Sequence, residues 1–125
     1  SLHEARFLGL EIDPRTFKTL ERIRREHFPR APIELKCGDF RKTDPGSGFR
    51  SAVCNPPYGM RSGDEGLISP LYEDLGAYLR QHLPGGQAGI YTANHEAAAR
   101  FGGDPEDSVS LRNGSLEGRL YRVAF

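Results

Sequence analysis

The residues with the sharpest chemical meaning in this chain are Asn55-Pro56-Pro57-Tyr58. Two consecutive prolines remove two backbone donors and stiffen the turn. The carbonyls of Asn55 and Pro56 stay available as acceptors, and the Asn55 carboxamide adds another. A rigid set of acceptors beside an aromatic ring suits a planar amine. The exocyclic amino group of a base is a poor nucleophile because its lone pair is delocalised into the ring. Accepting both of its hydrogens on fixed oxygens favours a more pyramidal nitrogen and aims the lone pair outward. Tyr58 can stack on the base and hold it. The bland alternative is a plain proline turn after a strand.

Glu11 and Asp39 share one feature with Asn55: each follows a short apolar run. In open α/β sheets, ligands bind beyond the carboxyl ends of the strands. Asp13 is explained without a ligand, because Asp-Pro at a helix start is a cap. Glu11 precedes that cap and is not explained by it. A carboxylate there can accept two hydrogen bonds from ribose hydroxyls.

These side chains need strands and helices to position them. Residues 6–12 read as a short buried parallel strand. Phe17, Leu20, Ile23 and His27/Phe28 then form one apolar stripe on a helix that begins at Pro14 and stops at Pro29. Strands follow at residues 33–36, 51–54 and 88–93. The stretch 41–48 is polar and Gly/Pro-bearing, hence loop. Apolar residues from Leu67 to Leu83 mark an amphipathic helix that Gly85-Gly86 ends, and Asn94 caps a shorter helix through Arg100. At the end, Asn113-Gly114 between the β-like runs 108–112 and 115–125 signals a hairpin. The alternation predicts an α/β fold in one domain, residues 1–125, with a mostly parallel sheet and a C-terminal antiparallel hairpin.

Composition sets the outer bounds. The chain has 125 residues, 37% of them hydrophobic, with 15 Gly and 9 Pro, which excludes a disordered or low-complexity chain. Seventeen basic and seventeen acidic residues cancel, so any nucleic-acid binding rests on a local patch. No apolar run reaches the ~18 residues of a membrane span and no basic-then-apolar leader is visible, so a cytoplasmic domain is expected. The first residue is Ser1, which raises the expectation of a further N-terminal part of the same polypeptide.

On these residues the chain resembles a known family. Asn-Pro-Pro-Tyr after a buried strand is similar to the signature of class I S-adenosylmethionine-dependent methyltransferases that act on exocyclic or amide nitrogens. Residues 7–14, Phe-Leu-Gly-Leu-Glu-Ile-Asp-Pro, look like the family's second-strand motif, and Gly38-Asp39-Phe40 looks like its third. The resemblance implies a Rossmann-like sheet and S-adenosylmethionine as cofactor. It implies that Glu11 binds the cofactor ribose, that Asp39 contacts the adenine amino group, and that Ile12 and Phe40 pack on the adenine faces. Within that class, Asn55 to Arg61, then Asp64-Glu65, residues 71–76 and the late Asn113-Gly114-Ser115-Leu116 are similar to the large-subunit ribosomal RNA guanine-N2 methyltransferases that carry a THUMP domain upstream. Ribosomal RNA is then the implied substrate, with Asn113 and Gly114 as implied base contacts and Asn55, Pro56, Pro57 and Tyr58 as implied catalytic residues. Adenine-N6 methyltransferases of DNA or RNA share the first motifs, and protein glutamine methyltransferases share Asn-Pro-Pro-Tyr. The family's first strand and Gly-rich loop are expected upstream of Leu2, with that strand between the ones ending at Glu11 and Asn55.

Other candidates have plainer explanations. His3, His27, His82 and His95 have no partners at ligand spacing, so no metal is expected. Cys37 and Cys54 are expected to be small reduced core residues. Arg22, Arg24, Arg25 and Arg30 suit a solvated helix face, with an RNA patch as the alternative that Arg119 and Arg122 share. A non-catalytic domain that only binds RNA or a protein partner is the competing function from a different class.

Overall fold

The computed structural model of the chain describes residues 5–59 and 65–125, with Glu65 described by its backbone alone. The elements are β1 (Phe7–Glu11), α1 (Pro14–His27), β2 (Ile33–Cys37), β3 (Ser51–Cys54), α2 (Glu65–His82), β4 (Gln87–Thr92), α3 (His95–Phe101), β5 (Ser108–Asn113) and β6 (Leu116–Ala124). Single 3-10 turns occupy Phe40–Lys42 and Pro105–Asp107. The order is the one expected from the sequence. Two compact units form, residues 1–45 and 46–125.

In the first unit β1 and β2 pair in parallel, from Phe7 opposite Ile33 to Glu11 opposite Cys37. Helix α1 crosses between them. It starts where the Asp13 carboxylate accepts hydrogen bonds from the amides of Arg15 (3.3 Å) and Thr16 (3.4 Å) and from the Thr16 hydroxyl (2.8 Å). Those bonds, the first of them from the hydroxyl, hold the Asp13 carboxyl below its ordinary value. The apolar stripe of α1 is less covered than expected: Leu20 and Ile23 remain 38% and 39% exposed, and no residue of α1 is buried. The reason is width. Two strands about 4.8 Å apart do not cover a helix about 10 Å across. Cys37 departs from the core role expected of it, being exposed at the end of the ladder.

The second unit holds a four-stranded sheet in the order β3-β4-β6-β5. β3 and β4 are parallel, while β6 runs antiparallel to both β4 and β5. One face is packed. Ile68, Tyr72, Leu79 and Leu83 of α2 and its end meet Ala97, Ala98 and Phe101 of α3, Ala88 and Ile90 of β4, and Tyr121 and Val123 of β6. Spacings of four and seven along α2 and of two along the strands are the helical and strand repeats that put these side chains on one face. Tyr72, Phe101 and Tyr121 are the largest fully buried side chains. Truncating an aromatic residue at such a position costs about 3–5 kcal/mol. The other face of the sheet stays open, with Val53 87% exposed and Val109 55% exposed. Gly76 lets α2 and α3 approach, since a Cβ there would lie 2.8 Å from the Phe101 carbonyl oxygen.

Two details of the expected elements change. Helix α2 begins by Glu65, so Pro70 sits inside it rather than at its boundary. The hairpin turn is Gly114-Ser115, not Asn113-Gly114: Asn113 is the last residue of β5 and pairs with Leu116. Gly114 alone takes positive φ there (63°), the pattern of a II′ turn with Gly first. An Asn-Gly pair satisfies two adjacent registers, and pairing along both strands selects between them.

Candidate active site

The first unit offers two carboxylates at the carboxyl ends of adjacent parallel strands. Glu11 ends β1, and its backbone carbonyl accepts from the Gly38 amide (2.9 Å), so the turn leading to Asp39 is tied to the end of β1. Among the described residues the Glu11 carboxylate meets no hydrogen-bond or ionic partner. Ile12 beside it is 65% exposed. Asp39 is already engaged. It caps the turn Phe40–Lys42 by accepting from the Arg41 amide (3.0 Å), and its carboxylate pairs with the Arg41 guanidinium at 3.4 Å. The same guanidinium lies 4.9 Å from the centre of the Phe40 ring. The structure thus brings Glu11, Ile12, Asp39 and Phe40 to one end of the two-stranded sheet, with Asp39 and Phe40 sharing Arg41.

In the second unit, Asn55 to Tyr58 leave the carboxyl end of β3 as irregular chain, and Gly59 follows at φ 78°. A Cβ on Gly59 would lie 2.7 Å from Ile68 Cγ1, so both the backbone conformation and the space require glycine. The Tyr58 hydroxyl donates to Asn55 Oδ1 at 2.6 Å. Tyr58 also meets the Tyr91 ring edge to face, with centroids 6.3 Å apart. Burial is the main cause that raises the Tyr58 phenol above its ordinary value, with Tyr91 adding to it and the Asn55 bond opposing. Tyr58 therefore stays a neutral hydrogen-bond donor near neutral pH and is not a base. Cys54, just before the motif, is also inert, because burial pushes its thiol up to about 11.

The loop's carbonyls are divided between two fates. The Tyr72 hydroxyl donates to the Pro57 carbonyl (2.8 Å), and the Asn94 side-chain amide donates to the Tyr58 carbonyl (2.9 Å). The Pro56 carbonyl has no such partner among the described residues. Tyr72, Thr92 and Tyr91 have no site role in the sequence reading, where Tyr72 belongs to the apolar pattern of its helix and to the resembling segment 71–76, and Tyr91 and Thr92 only to a strand. Thr92 carries the one legible signal: a polar residue at the inward position of a strand whose other inward residues are Ala88 and Ile90. Asn94 does cap α3 through the Ala97 amide (3.0 Å), as expected, and holds Tyr58 with its other side-chain atom.

Asn113 and Gly114 lie exposed at the tip of the β5–β6 hairpin. The hairpin is linked to the motif through Tyr91, whose hydroxyl donates to the Leu111 carbonyl (3.0 Å) and whose ring packs over Gly118, where a Cβ would sit 2.7 Å away. Arg122 is ion-paired with Asp107 at 3.0 Å, and Arg119 is held in place by donating to Ser108 Oγ (2.8 Å). Met60 to Asp64, part of the segment resembling the guanine-N2 enzymes, lie outside the described residues. Among the described residues no group of three or more His, Cys, Asp or Glu could hold a metal ion, and no helix is long and apolar enough to cross a membrane.

Solved structures share the fold: a possible methylase from Clostridium difficile 630 superposes with a TM-score of 0.81 at 24% identity, over 97% of this chain and 32% of that one. SMU.472, complexed with SAH, superposes with a TM-score of 0.81 at 24% identity, over 94% of this chain and 31% of that one. These likenesses show the fold, a Rossmann-like α/β arrangement. In sequence the chain is 34% identical over 119 residues to the ribosomal RNA large subunit methyltransferase K/L of Aliivibrio fischeri strain MJ11, covering 90% of this chain and 16% of that protein. The chain thus spans about a sixth of the length of such relatives. The model of the RMKL-like methyltransferase domain matches residues 2–122, nearly the whole sequence, and the chain belongs to that family.

Proposed function

We propose that residues 1–125 are part of the catalytic domain of an enzyme that methylates an exocyclic amino group of a nucleobase in large-subunit ribosomal RNA, guanine N2, with S-adenosylmethionine as donor. The observation that carries this is the acceptor geometry of residues 55–58. Two of the loop's carbonyls are taken by Tyr72 and Asn94, while among the described residues the Pro56 carbonyl has no partner and Asn55 Oδ1 has only the exchangeable Tyr58 hydroxyl, so both can accept from an amine. The family and the A. fischeri relative support ribosomal RNA as the class of substrate.

The first unit fits the cofactor in part. Among the described residues the Glu11 carboxylate has no partner, and it suits two ribose hydroxyls. Ile12, largely exposed, offers an apolar surface for a purine. Asp39 contacts the adenine amine only while keeping or releasing Arg41. When bound, S-adenosylmethionine supplies an electrophilic methyl group.

On the acceptor side, Asn55 Oδ1 and the Pro56 carbonyl accept the two amine hydrogens and favour the pyramidal nitrogen that attacks. In the resting chain the Tyr58 hydroxyl occupies Asn55 Oδ1, so an incoming amine displaces that hydroxyl. The Tyr58 ring then stacks on the base. Asn113 and Gly114 at the hairpin tip contact the base or its neighbour, with Tyr91 tying hairpin to motif.

The test is transfer of a labelled methyl group to unmodified ribosomal RNA by the polypeptide that carries this chain, followed by nucleoside analysis. N2-methylguanosine is expected. N6-methyladenosine would move the substrate to adenine, and absence of transfer with RNA bound would favour a binding domain.

A further inference from the structure

We propose that Tyr72 and Thr92 are positioning residues that hold the Asn55–Tyr58 loop in its reactive shape through a hydrogen-bond chain of fixed direction; this rests on the amine-methylation function proposed above. The chain is short, and its middle link is buried while its two ends are partly buried. Tyr72 and Thr92 are both 0% exposed. The Thr92 hydroxyl oxygen accepts from the Asn94 amide (2.9 Å) and lies 2.8 Å from the Tyr72 hydroxyl, which in turn lies 2.8 Å from the Pro57 carbonyl oxygen.

The two ends leave no choice of direction. A backbone N–H only donates and a carbonyl only accepts. Each hydroxyl has one proton. Tyr72 must spend its proton on Pro57, so Thr92 must donate to Tyr72, and Thr92 can do so because it accepts from Asn94. A relay from the Asn94 amide to Thr92, to Tyr72, to the Pro57 carbonyl is the one arrangement that satisfies all three contacts. Burial as the leading cause, opposed by the Thr92 bond, keeps the Tyr72 phenol protonated.

The consequence falls on Pro56. Asn55 and Pro56 each precede a proline and are held extended. In polyproline-like backbone, at three residues per turn, successive carbonyls are rotated by about 120°. Pinning the Pro57 carbonyl to Tyr72 therefore turns the Pro56 carbonyl away from the core. The Asn94 side chain pins the next carbonyl, that of Tyr58. Without the Tyr72 hydroxyl the Pro57 carbonyl loses its buried donor, and the loop rotates to find water. The base and the cofactor touch neither Tyr72 nor Thr92 in this scheme, so the loss appears in the chemical step and not in binding.

The experiment uses the polypeptide that carries residues 1–125, with Tyr72→Phe, Thr92→Val and Thr92→Ser variants. Methyl transfer to ribosomal RNA is measured at saturating cofactor and RNA, alongside cofactor affinity and the KM for RNA. Tyr72→Phe and Thr92→Val should each lower kcat about tenfold or more, with both binding constants within about twofold of wild type. Thr92→Ser, which keeps the hydroxyl, should restore kcat to within about threefold. Because Tyr72→Phe or Thr92→Val can fail to fold, the wild type carries a second readout. The Tyr72 hydroxyl proton should be protected from solvent exchange in proton NMR, with a cross-peak to Thr92. An exchanging Tyr72 hydroxyl, unimpaired Phe and Val variants, or a Ser variant as slow as Val would each overturn the clamp while an active wild type leaves the methylation function standing. A wild type without transfer overturns that function, and this inference with it.

Discussion

Replacing Asn55 by Ala separates catalysis from folding more cleanly than any other substitution in the loop. In the structure Asn55 is exposed, and among the described residues its side chain accepts one hydrogen bond, from Tyr58 three residues on. The stability cost is bounded by one neutral hydrogen bond, about 0.5–1.5 kcal/mol, and exposure puts it at the low end. A thermal unfolding midpoint should move by a few degrees at most. The rate cost is of another size. If Asn55 Oδ1 accepts an amine hydrogen as positive charge develops on nitrogen, its loss removes one preorganised electrostatic interaction, worth about 10²–10³ in kcat. At about 1.4 kcal/mol per decade that is roughly 3–4 kcal/mol, well above the folding term. Cofactor affinity should be unchanged, since the proposed scheme gives the carboxamide to the amine and not to the cofactor. Single-turnover methyl transfer, calorimetric cofactor titration and thermal unfolding on the same preparation give the three numbers. A variant whose turnover stays within about threefold of wild type would refute the role of Asn55. So would a rate loss matched by a comparable loss of folded protein.

Glu11→Ala and Asp39→Ala should act on the opposite term, weakening cofactor binding by roughly 1.5–3 kcal/mol for each charge-assisted hydrogen bond removed, and unchanged affinity in both would refute the cofactor role of these two carboxylates. Asp39→Ala also uncaps the turn Phe40–Lys42, so Asp39→Asn, which keeps the cap, is its control. Tyr58→Phe keeps the stacking ring and frees Asn55 Oδ1, and it should lower the KM for RNA by about two- to tenfold at constant kcat; a raised KM would show that the hydroxyl helps the base instead of competing with it. Asp13→Ala should destabilise α1 in a pH-dependent way. The folded carboxyl sits below its ordinary value of 3.8, so the advantage of wild type over the variant is full above that value and fades as pH falls through the lowered one. Equal acid sensitivity of the two proteins would contradict the cap.

The order of elements was legible because each one declares itself locally. Apolar spacings of three and four in α1 and α2, the Asp13-Pro14 start and the proline pair after β3 act over a few residues, and tertiary contacts had no reason to override them. Asn55, Glu11 and Asp39 could be picked out for the same reason: a strand end followed by a polar side chain is a statement about neighbours in sequence. What depends on distant partners could not be read. The donor on the Pro57 carbonyl comes from Tyr72, fifteen positions away, and the oxygen behind it from Thr92, twenty further on. A tyrosine and a threonine inside apolar repeats look like packing until both hydroxyls are seen to meet. The contacts of Arg119 and Arg122, candidates for an RNA patch in the sequence, appear only when Ser108 and Asp107 come beside them in the fold. The turn at Gly114-Ser115 rather than Asn113-Gly114 was settled by pairing along β5 and β6, because either pair of residues can make the bend and only one aligns the ladder. Sequence alone determined which residues are candidates for chemistry, since that lies in residue types at short spacing. Tertiary structure decided which of the loop's carbonyls meet a donor within the chain, Pro57 from Tyr72 and Tyr58 from Asn94, since those donors come from distant elements.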